Sequence, residues 1–535
     1  MQRDLASLAS TRFDLLVIGG GIYGACIARD AAYRGLNVAL VERGDFGHAT
    51  SHNSLRLIHG GLRYLQHLDI RRVRQSVCEQ NFWLRAAPHI VRPLRFMMPT
   101  FGYGTRGPGA LWSATKLHAM IAFDRNRGVA TSNRRPAGGL LSRQALLDFI
   151  PGLDTEDINA GAYWYDAQIL DPDRLILEVL RDAANGGATI ANYVEVTGFL
   201  KQGNKIIGVR ALDRIAKSEV EIASRITVCA GGPWIHQLGR KAIGKDTKDI
   251  DRPMTRGMNL ITRPLGPKVA FGVRSARSSD AILGKSRRMY FATPLPRCSV
   301  IGTSHFPYKG RPDDCVFTEN EVLAFLDEFN AAYPAANLKP DDVYYWHGGL
   351  TPADEDSDSD EIKRSRQAEI IDHGLEDDTE GFISVIGVKY TTARLVAEKA
   401  VDLIYQKKGV RPPPCTTKFS ALPGAKTDKL HPLFPTYGKF ADDLAALYPE
   451  HTANSVQATF VACCTYALRS EMAIKLEDLV LRRTNLAREG RLSNRLFEQA
   501  ADLMATTFNW SNAHKQTEID NARNQLAAHG VHLGS

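Results

Sequence analysis

The sequence predicts an α/β fold: a Rossmann-like dinucleotide-binding domain with an inserted antiparallel substrate domain and a C-terminal helical domain. Three observations predict it. A strand, glycine turn, helix and second strand open the chain in FDLLVIGGGIYGACIARDAAYRGLNVALVER. Two further apolar strands, in RITVCAGGPW and GFISVIG, run into small residues far downstream. From Leu430 to Asn509 apolar side chains recur at helical spacing, for example Leu468, Met472, Leu476 and Leu479. At 535 residues, 44% apolar and 24% charged, the chain is long enough for two or three cores and has the composition of an ordinary globular protein without repeats.

The first unit reads element by element. Asp14 to Ile18 is a short apolar strand, Gly19, Gly21 and Gly24 form GxGxxG, a helix runs from Ile22 to Arg34 and stops at Gly35, and Val38 to Val41 is a strand ending in Glu42. The glycines bring backbone N–H groups against a pyrophosphate at the helix N-terminus, and the acid accepts from a ribose hydroxyl. NAD and FAD present the same adenosine diphosphate, so the fingerprint leaves both open. Ala230 and Gly231 after one later strand, and Gly387, Lys389, Thr391 and Thr392 after another, complete the domain from pieces spread over residues 13 to 405, a distribution typical of flavoproteins.

Charge is uneven. The formal net charge is +8, and from Arg56 to Arg106 there are nine arginines and no lysine against Asp69 and Glu79 alone. Such a surface is a solvated helix face, or it meets an anionic substrate, nucleic acid or an anionic membrane. No nucleic-acid motif accompanies it. MQRDLASLASTRFD lacks the apolar core of a signal peptide, and the run Leu15 to Ala28 is broken by glycines, so no export signal or span is expected. The eight scattered cysteines, with only Cys463 and Cys464 adjacent, suit reduced thiols in a cytoplasmic protein with no structural metal.

GGGIYGACIARDAAYRGLNVALVERGDF, TSHNSLRLIHGGLRYL, CAGGPW, VIGTSHFPYKG and IGVKYTTAR together resemble the FAD-dependent glycerol-3-phosphate dehydrogenase family, the aerobic quinone-linked type, and its glycerol-phosphate oxidase relatives. TYALRSEMAIKLEDLVLRRTNLA is similar to that family's helical C-terminal domain, so the resemblance covers nearly the whole chain. It implies a FAD domain of the glutathione-reductase and D-amino-acid-oxidase kind. The implied reaction oxidises the secondary alcohol of glycerol 3-phosphate or a related phosphorylated polyol, with hydride passing to flavin N5 and electrons to a quinone or oxygen. The implied cofactor residues are Gly19, Gly21, Gly24, Glu42, Ser51, Ser54, His59, Gly60, Gly61, Ala230, Gly231, Gly387, Thr391 and Thr392. Arg71, Arg72 and Arg74 then read as a solvated or lipid-facing helix surface rather than part of the reaction site.

The reaction needs a base, a hold on the substrate, and positive charge for alkoxide and phosphate. Lys389 in GVKYTTAR matches the family's lysine, and Arg366 in RSRQAEI, or Arg364 in the same run, matches its phosphate-binding arginine. Asn259 in TRGMN stands where the family has a histidine, and an amide is no base at neutral pH. Thr351 in GLTP stands where an arginine is expected, and Ser304-His305 replaces an acid. The catalytic candidates are therefore Lys389, Asn259, and the new histidines His305 and His347. The substrate-binding candidates are Lys389 and Arg366, with Arg56 and Arg256 as compensating cations. These changes leave open a dehydrogenase or oxidase of a different anionic alcohol or hydroxy acid, and a flavin-binding protein without catalysis. The partners expected are a small anionic alcohol, a quinone or oxygen, and an anionic membrane contacted peripherally from the cytoplasmic side, with no nucleic acid and with a homodimer as the assembly.

The domain boundaries expected are 12–410 for the oxidoreductase domain, with FAD parts at 12–100, 155–250 and 345–410 and substrate parts at 101–154 and 251–344. Strands are expected around Met258 to Thr262, Met289 to Ala292 and Ser299 to Gly302. RPPPC at 411–415 is a stiff linker to the helical domain, 416–535, which carries no calcium-loop pattern.

Overall fold

The computed structural model describes residues 1–535 except 103, 105–106, 154–156, 246–252, 280–285, 354–366, 426–429, 448–455 and 534–535, and leaves the side chains of 276–279 and 286–288 aside. Its first sheet has the strand order Thr189–Ala191, Val38–Val41, Phe13–Ile18, Ser218–Cys229, Phe382–Ile386, Glu369–Asp372. The first five are parallel and the last is an antiparallel edge. The strands Phe382–Ile386 and Val38–Val41 are buried at every position, as strands covered on both faces must be. The helix Ile22–Tyr33 packs on one side with helices Pro172–Asn185 and Ala393–Lys407, through Ala25, Ala28, Ala31 and Ala397 among others. Those small residues let the helices approach the sheet closely. A hairpin, Val194–Gln202 and Lys205–Asp213, extends from the start of the Ser218–Cys229 strand.

The second sheet runs Val343–Pro352, Met254–Thr262, Ser299–Tyr308, Ser286–Pro294, Ala270–Ser279, Val91–Phe101, Ile158–Ile169, Leu57–Ile58, with Gly139–Ser142 also on Ile158–Ile169. All pairings are antiparallel except Ala270–Ser279 with Val91–Phe101. Residues 57–58, 91–100, 158–169 and 345–352, which the sequence boundaries assign to the FAD parts, are therefore strands of the substrate sheet. An apolar strand carries no mark of its partner, and these partners lie as far apart as Phe96 and Ala270.

The C-terminal part is helical, with Val456–Ser470, Asn494–Phe508 and Asn512–Ala528 joined through a π turn at Asp478–Arg483. Leu476, Leu479, Val480, Phe497 and Met504 share a core with Ile261, Val300 and Tyr345 of the substrate sheet. Buried charge ties the same helices to the cofactor domain. The Asp45 carboxylate accepts from Arg482 Nε at 2.7 Å and from Arg483 Nη1 and Nη2 at 2.7 and 2.8 Å, and Asp173 binds Arg488 Nη1 at 2.9 Å and His52 Nδ1 at 2.8 Å. Removing one partner of such a buried set strands the others, at about 3–5 kcal/mol. Among the described residues no helix is long and apolar enough to cross a membrane, and no group of His, Cys, Asp or Glu is arranged to hold a metal ion.

Candidate active site

The glycine turn is built by close backbone packing at Gly19 and Gly24. A Cβ at Gly24 would lie 1.9 Å from Gly19 O, and one at Gly19, whose φ is +108°, would lie 2.5 Å from Ala230 O. At Gly21 it would meet only Ser51 Oγ, at 3.1 Å. Gly24 and Gly19 therefore let backbone approach backbone, whereas Gly21 leaves open space at the start of the helix. That helix has no capping side chain at Gly21, so its positive end is left for an anion. Ser51 Oγ accepts from Ile22 N at 3.1 Å, and the buried Glu42 carboxylate accepts from Gly20 N at 2.7 Å and Gly44 N at 2.9 Å. The uncapped helix start at Gly21 fits the diphosphate of FAD, and the Glu42 carboxylate fits its ribose hydroxyls.

The far end of the cradle is joined to this turn by Tyr23. Its hydroxyl donates to Lys389 O at 2.8 Å and accepts from Val388 N and Lys389 N at 3.1 and 3.0 Å, and its ring lies where a Gly387 Cβ would be, 2.5 Å away. Thr391 Oγ1 accepts from His59 N at 3.2 Å, and Thr391 O accepts from the Trp83 indole at 3.1 Å. Thr392 precedes the helix Ala393–Lys407, and Gly231 packs on Leu238 after the strand that brings Ala230 to Ile18 O. Ser54 Oγ accepts from Arg56 N at 3.4 Å. Of the residues named from the sequence, Gly19, Gly21, Gly24, Ser51 and Ala230 meet around the glycine turn, and His59 and Thr391 are bonded to each other beyond it.

His59 is the exposed exception in this tight packing: 58% of its side chain is open. Its Nδ1 lies 3.0 Å from Asp166 Oδ2, and the other Asp166 oxygen accepts from Gly60 N at 2.6 Å and Gln80 Nε2 at 3.1 Å. Burial alone would raise the Asp166 carboxyl, but His59 and the Gly60 and Trp164 N–H groups hold it below the usual carboxylate range. An ionised carboxylate only accepts, so Nδ1 carries the proton and Nε2 of a neutral imidazole carries the lone pair. Gly61, at φ +84°, turns the chain from this pair into LRYL, where Tyr64 Oη accepts from Lys389 Nζ and the ammonium lies 4.6 Å from the Tyr64 ring centre.

The other substrate candidates lie apart from this pair. Arg56 is buried, donates through Nη1 to Leu170 O at 3.2 Å, and is pushed down to about 10 by burial and by Arg488 beside it. Its charge is turned to the C-terminal interface. Arg256 pairs with Glu321 and donates to Val316 O at 2.9 Å between the rings of Phe306 and Phe317. Asn259 is buried, accepting from Thr303 Oγ1 at 2.7 Å and reaching Asn53 O at 3.5 Å. Its register partner His347 is 2% exposed, with neither ring nitrogen hydrogen-bonded among the described residues. Burial, then His52, Arg56, His529 and Arg488, drive its pKa far down and keep it neutral. His305 is half-buried opposite Gly257, and Arg366 lies outside the described residues.

Sequence reasoning missed Tyr23, Tyr64 and Asp166. Tyr64 stands inside the quoted HGGLRYL and was within reach of a closer reading. Asp166 sits in the strand AYWYDAQI, where nothing but an acid at an inward position marks it. Arg74, read from the sequence as solvated or lipid-facing, is bidentate to Asp124 at 2.6 and 2.9 Å.

Compared with known proteins, the chain matches the FAD dependent oxidoreductase family over residues 14–403 and the C-terminal domain of alpha-glycerophosphate oxidase over residues 385–515. It is 32% identical over 518 residues to a glycerol-3-phosphate dehydrogenase of Synechocystis sp., covering 91% of each chain. It is 29% identical to an aerobic glycerol-3-phosphate dehydrogenase of Bacillus subtilis, covering 98% of this chain and 97% of the relative. In fold it is similar to the glycerol-3-phosphate dehydrogenase of Bacillus halodurans complexed with FAD, with a TM-score of 0.74 at 24% identity, covering 98% of this chain and 96% of that one. The FAD-bound L-alpha-glycerophosphate oxidase of Mycoplasma pneumoniae is similar at a TM-score of 0.53 and 16% identity, covering 77% of this chain and 99% of that one.

Proposed function

We propose, from the fact that this chain belongs to the FAD dependent oxidoreductase family, a reaction in which it binds FAD and oxidises the secondary alcohol of glycerol 3-phosphate to the ketone. The observation that carries the site assignment is the His59–Asp166 pair at the edge of the cradle, next to the Lys389–Tyr64 contact. When bound, FAD supplies the hydride acceptor at N5. His59 Nε2 takes the hydroxyl proton, and Asp166 keeps the ring in the tautomer that can accept it and steadies the imidazolium that forms. Lys389 places positive charge by the substrate oxygens, with Tyr64 fixing the ammonium. Asn259, which cannot accept a proton, positions the segment at Asn53, and the buried neutral His347 stays out of proton transfer.

Electrons leave to a quinone or to oxygen. Leu68, Trp112, Met120 and Phe123 are exposed on the subdomain formed by residues 62–86 and the helix Pro108–Ile121, beside Arg63, Arg71 and Lys116. Apolar side chains among cations support a peripheral contact with an anionic membrane there. The deciding experiment purifies the yellow protein and adds glycerol 3-phosphate or unphosphorylated glycerol without oxygen. Bleaching of the flavin by the phosphorylated alcohol alone is expected, and no bleaching by either overturns the reading.

A further inference from the structure

Thr351 removes one arginine expected at the substrate phosphate, Arg56 and Arg256 are committed elsewhere, and Arg366 lies outside the described residues. A cation does lie on the other side of Lys389. An open cleft of about 70 Å³ is lined by Tyr64, Arg72, Gln75, Lys389, Thr392 and Lys399, with three cations and no carboxylate among the described lining residues. Arg72 is held there from both sides. Its backbone N–H and Nε bind the helix-capping Asp69 at 3.0 Å each, and the amide oxygen of Gln367, in the orientation that satisfies both of its polar atoms, accepts from Nε and Nη2. Nη1 is left unengaged among the described residues. Lys399 is exposed and has no acid partner among them. A half-buried guanidinium fixed by its neighbours, with a free N–H edge and an ammonium across the same cleft, suits a phosphate oxygen pair.

We propose that Arg72 is a specificity-determining residue: with Lys389 it holds the phosphate of glycerol 3-phosphate in this cleft and supplies the fork that Thr351 lacks. The assignment rests on the substrate proposed above. It differs from a lipid-headgroup site, which the same chemistry would also serve, and the test separates the two.

The test compares the FAD-loaded wild type with Arg72→Leu, Arg72→Lys and the exposed neighbour Arg71→Leu, each checked for flavin content and melting temperature. Arg72→Leu is expected to raise KM for glycerol 3-phosphate ~10- to 100-fold, and to weaken competitive inhibition by inorganic phosphate by the same factor, with kcat within ~3-fold. Arg72→Lys should recover part of the loss, because charge returns without the fork. Arg71→Leu should leave both constants within ~2-fold. Unchanged KM and phosphate inhibition in Arg72→Leu overturns the proposal, as does a loss confined to kcat. Retained kinetics with lost binding to phosphatidylglycerol vesicles overturns it in favour of a lipid headgroup. If the wild type does not oxidise glycerol 3-phosphate, the function reading fails. The phosphate-induced change in flavin absorbance still decides the cleft: present in wild type and absent in Arg72→Leu supports it, equal in both overturns it.

Discussion

Asp166→Asn changes one atom and is expected to disable the base. Asp166 Oδ2 faces His59 Nδ1 at 3.0 Å and Trp164 Nε1 at 3.3 Å, while Oδ1 faces Gly60 N at 2.6 Å and Gln80 Nε2 at 3.1 Å. All four neighbours donate. The asparagine amide must turn its NH2 toward one pair, and neither the Gly60 N–H nor the Trp164 indole can reverse. Gln80 is held as it stands, its Nε2 donating to Ile58 O and its Oε1 accepting from Arg135, so His59 adapts, by moving its proton to Nε2 and offering Nδ1 as acceptor, which removes the lone pair that would take the substrate proton. Loss of a positioned base lowers the rate ~10²- to 10⁴-fold, or about 3–5 kcal/mol on the barrier. The strained buried donors cost about 1–3 kcal/mol of stability in addition. The assay is anaerobic stopped-flow reduction of the bound flavin at saturating glycerol 3-phosphate, after confirming FAD content. His59→Gln should match the defect, and the double variant should be no slower than His59→Gln, because the two residues act as one unit. An Asp166→Asn enzyme that reduces its flavin within ~3-fold of the parent would refute this reasoning.

Gly21→Val should fold and purify colourless, because its Cβ meets only Ser51 Oγ while its branches fill the open end of the helix; a variant with full flavin occupancy contradicts the placement. Binding to anionic vesicles should fall steeply as salt is raised from low to physiological strength, and sedimentation that persists in high salt would mean the contact is not electrostatic. Burial lifts the Glu178 carboxyl to about 7, against the opposing pull of the Gly424 N–H at 2.7 Å and of Arg181 and Arg174. The folded state then holds this proton above the unfolded value of ~4.3, so the group's contribution is full below that pH and is lost as pH rises through about 7, by about 3 kcal/mol at the upper end. Glu178→Gln should therefore melt higher than wild type at pH 8 and close to it at pH 5, and a difference independent of pH would show that the carboxyl is not protonated in the fold.

The cofactor half was legible because its signal is local. Tight turns require glycine at particular positions, so Gly19, Gly21 and Gly24 with flanking strands announce a cradle within thirty residues, and helix and strand limits there agree with the structure to about one residue. The family motif LIHGGLRYL likewise named His59 in advance. What the sequence by itself determined is thus the fold class, the FAD cofactor and the oxidoreductase family. The partner of His59, the tether at Tyr23, and the fates of four arginines were decided only by tertiary structure. Asp166 reaches His59 from 107 residues away across a strand pair. Arg56, Arg72, Arg74 and Arg256 look alike in sequence, yet Arg56 donates to a backbone carbonyl, Arg74 and Arg256 are paired with acids, and Arg72 is paired with Asp69 while facing a cleft. A guanidinium's role depends on which carboxylates and how much water surround it, and both are set by long-range strand pairing and helix packing that no local pattern encodes.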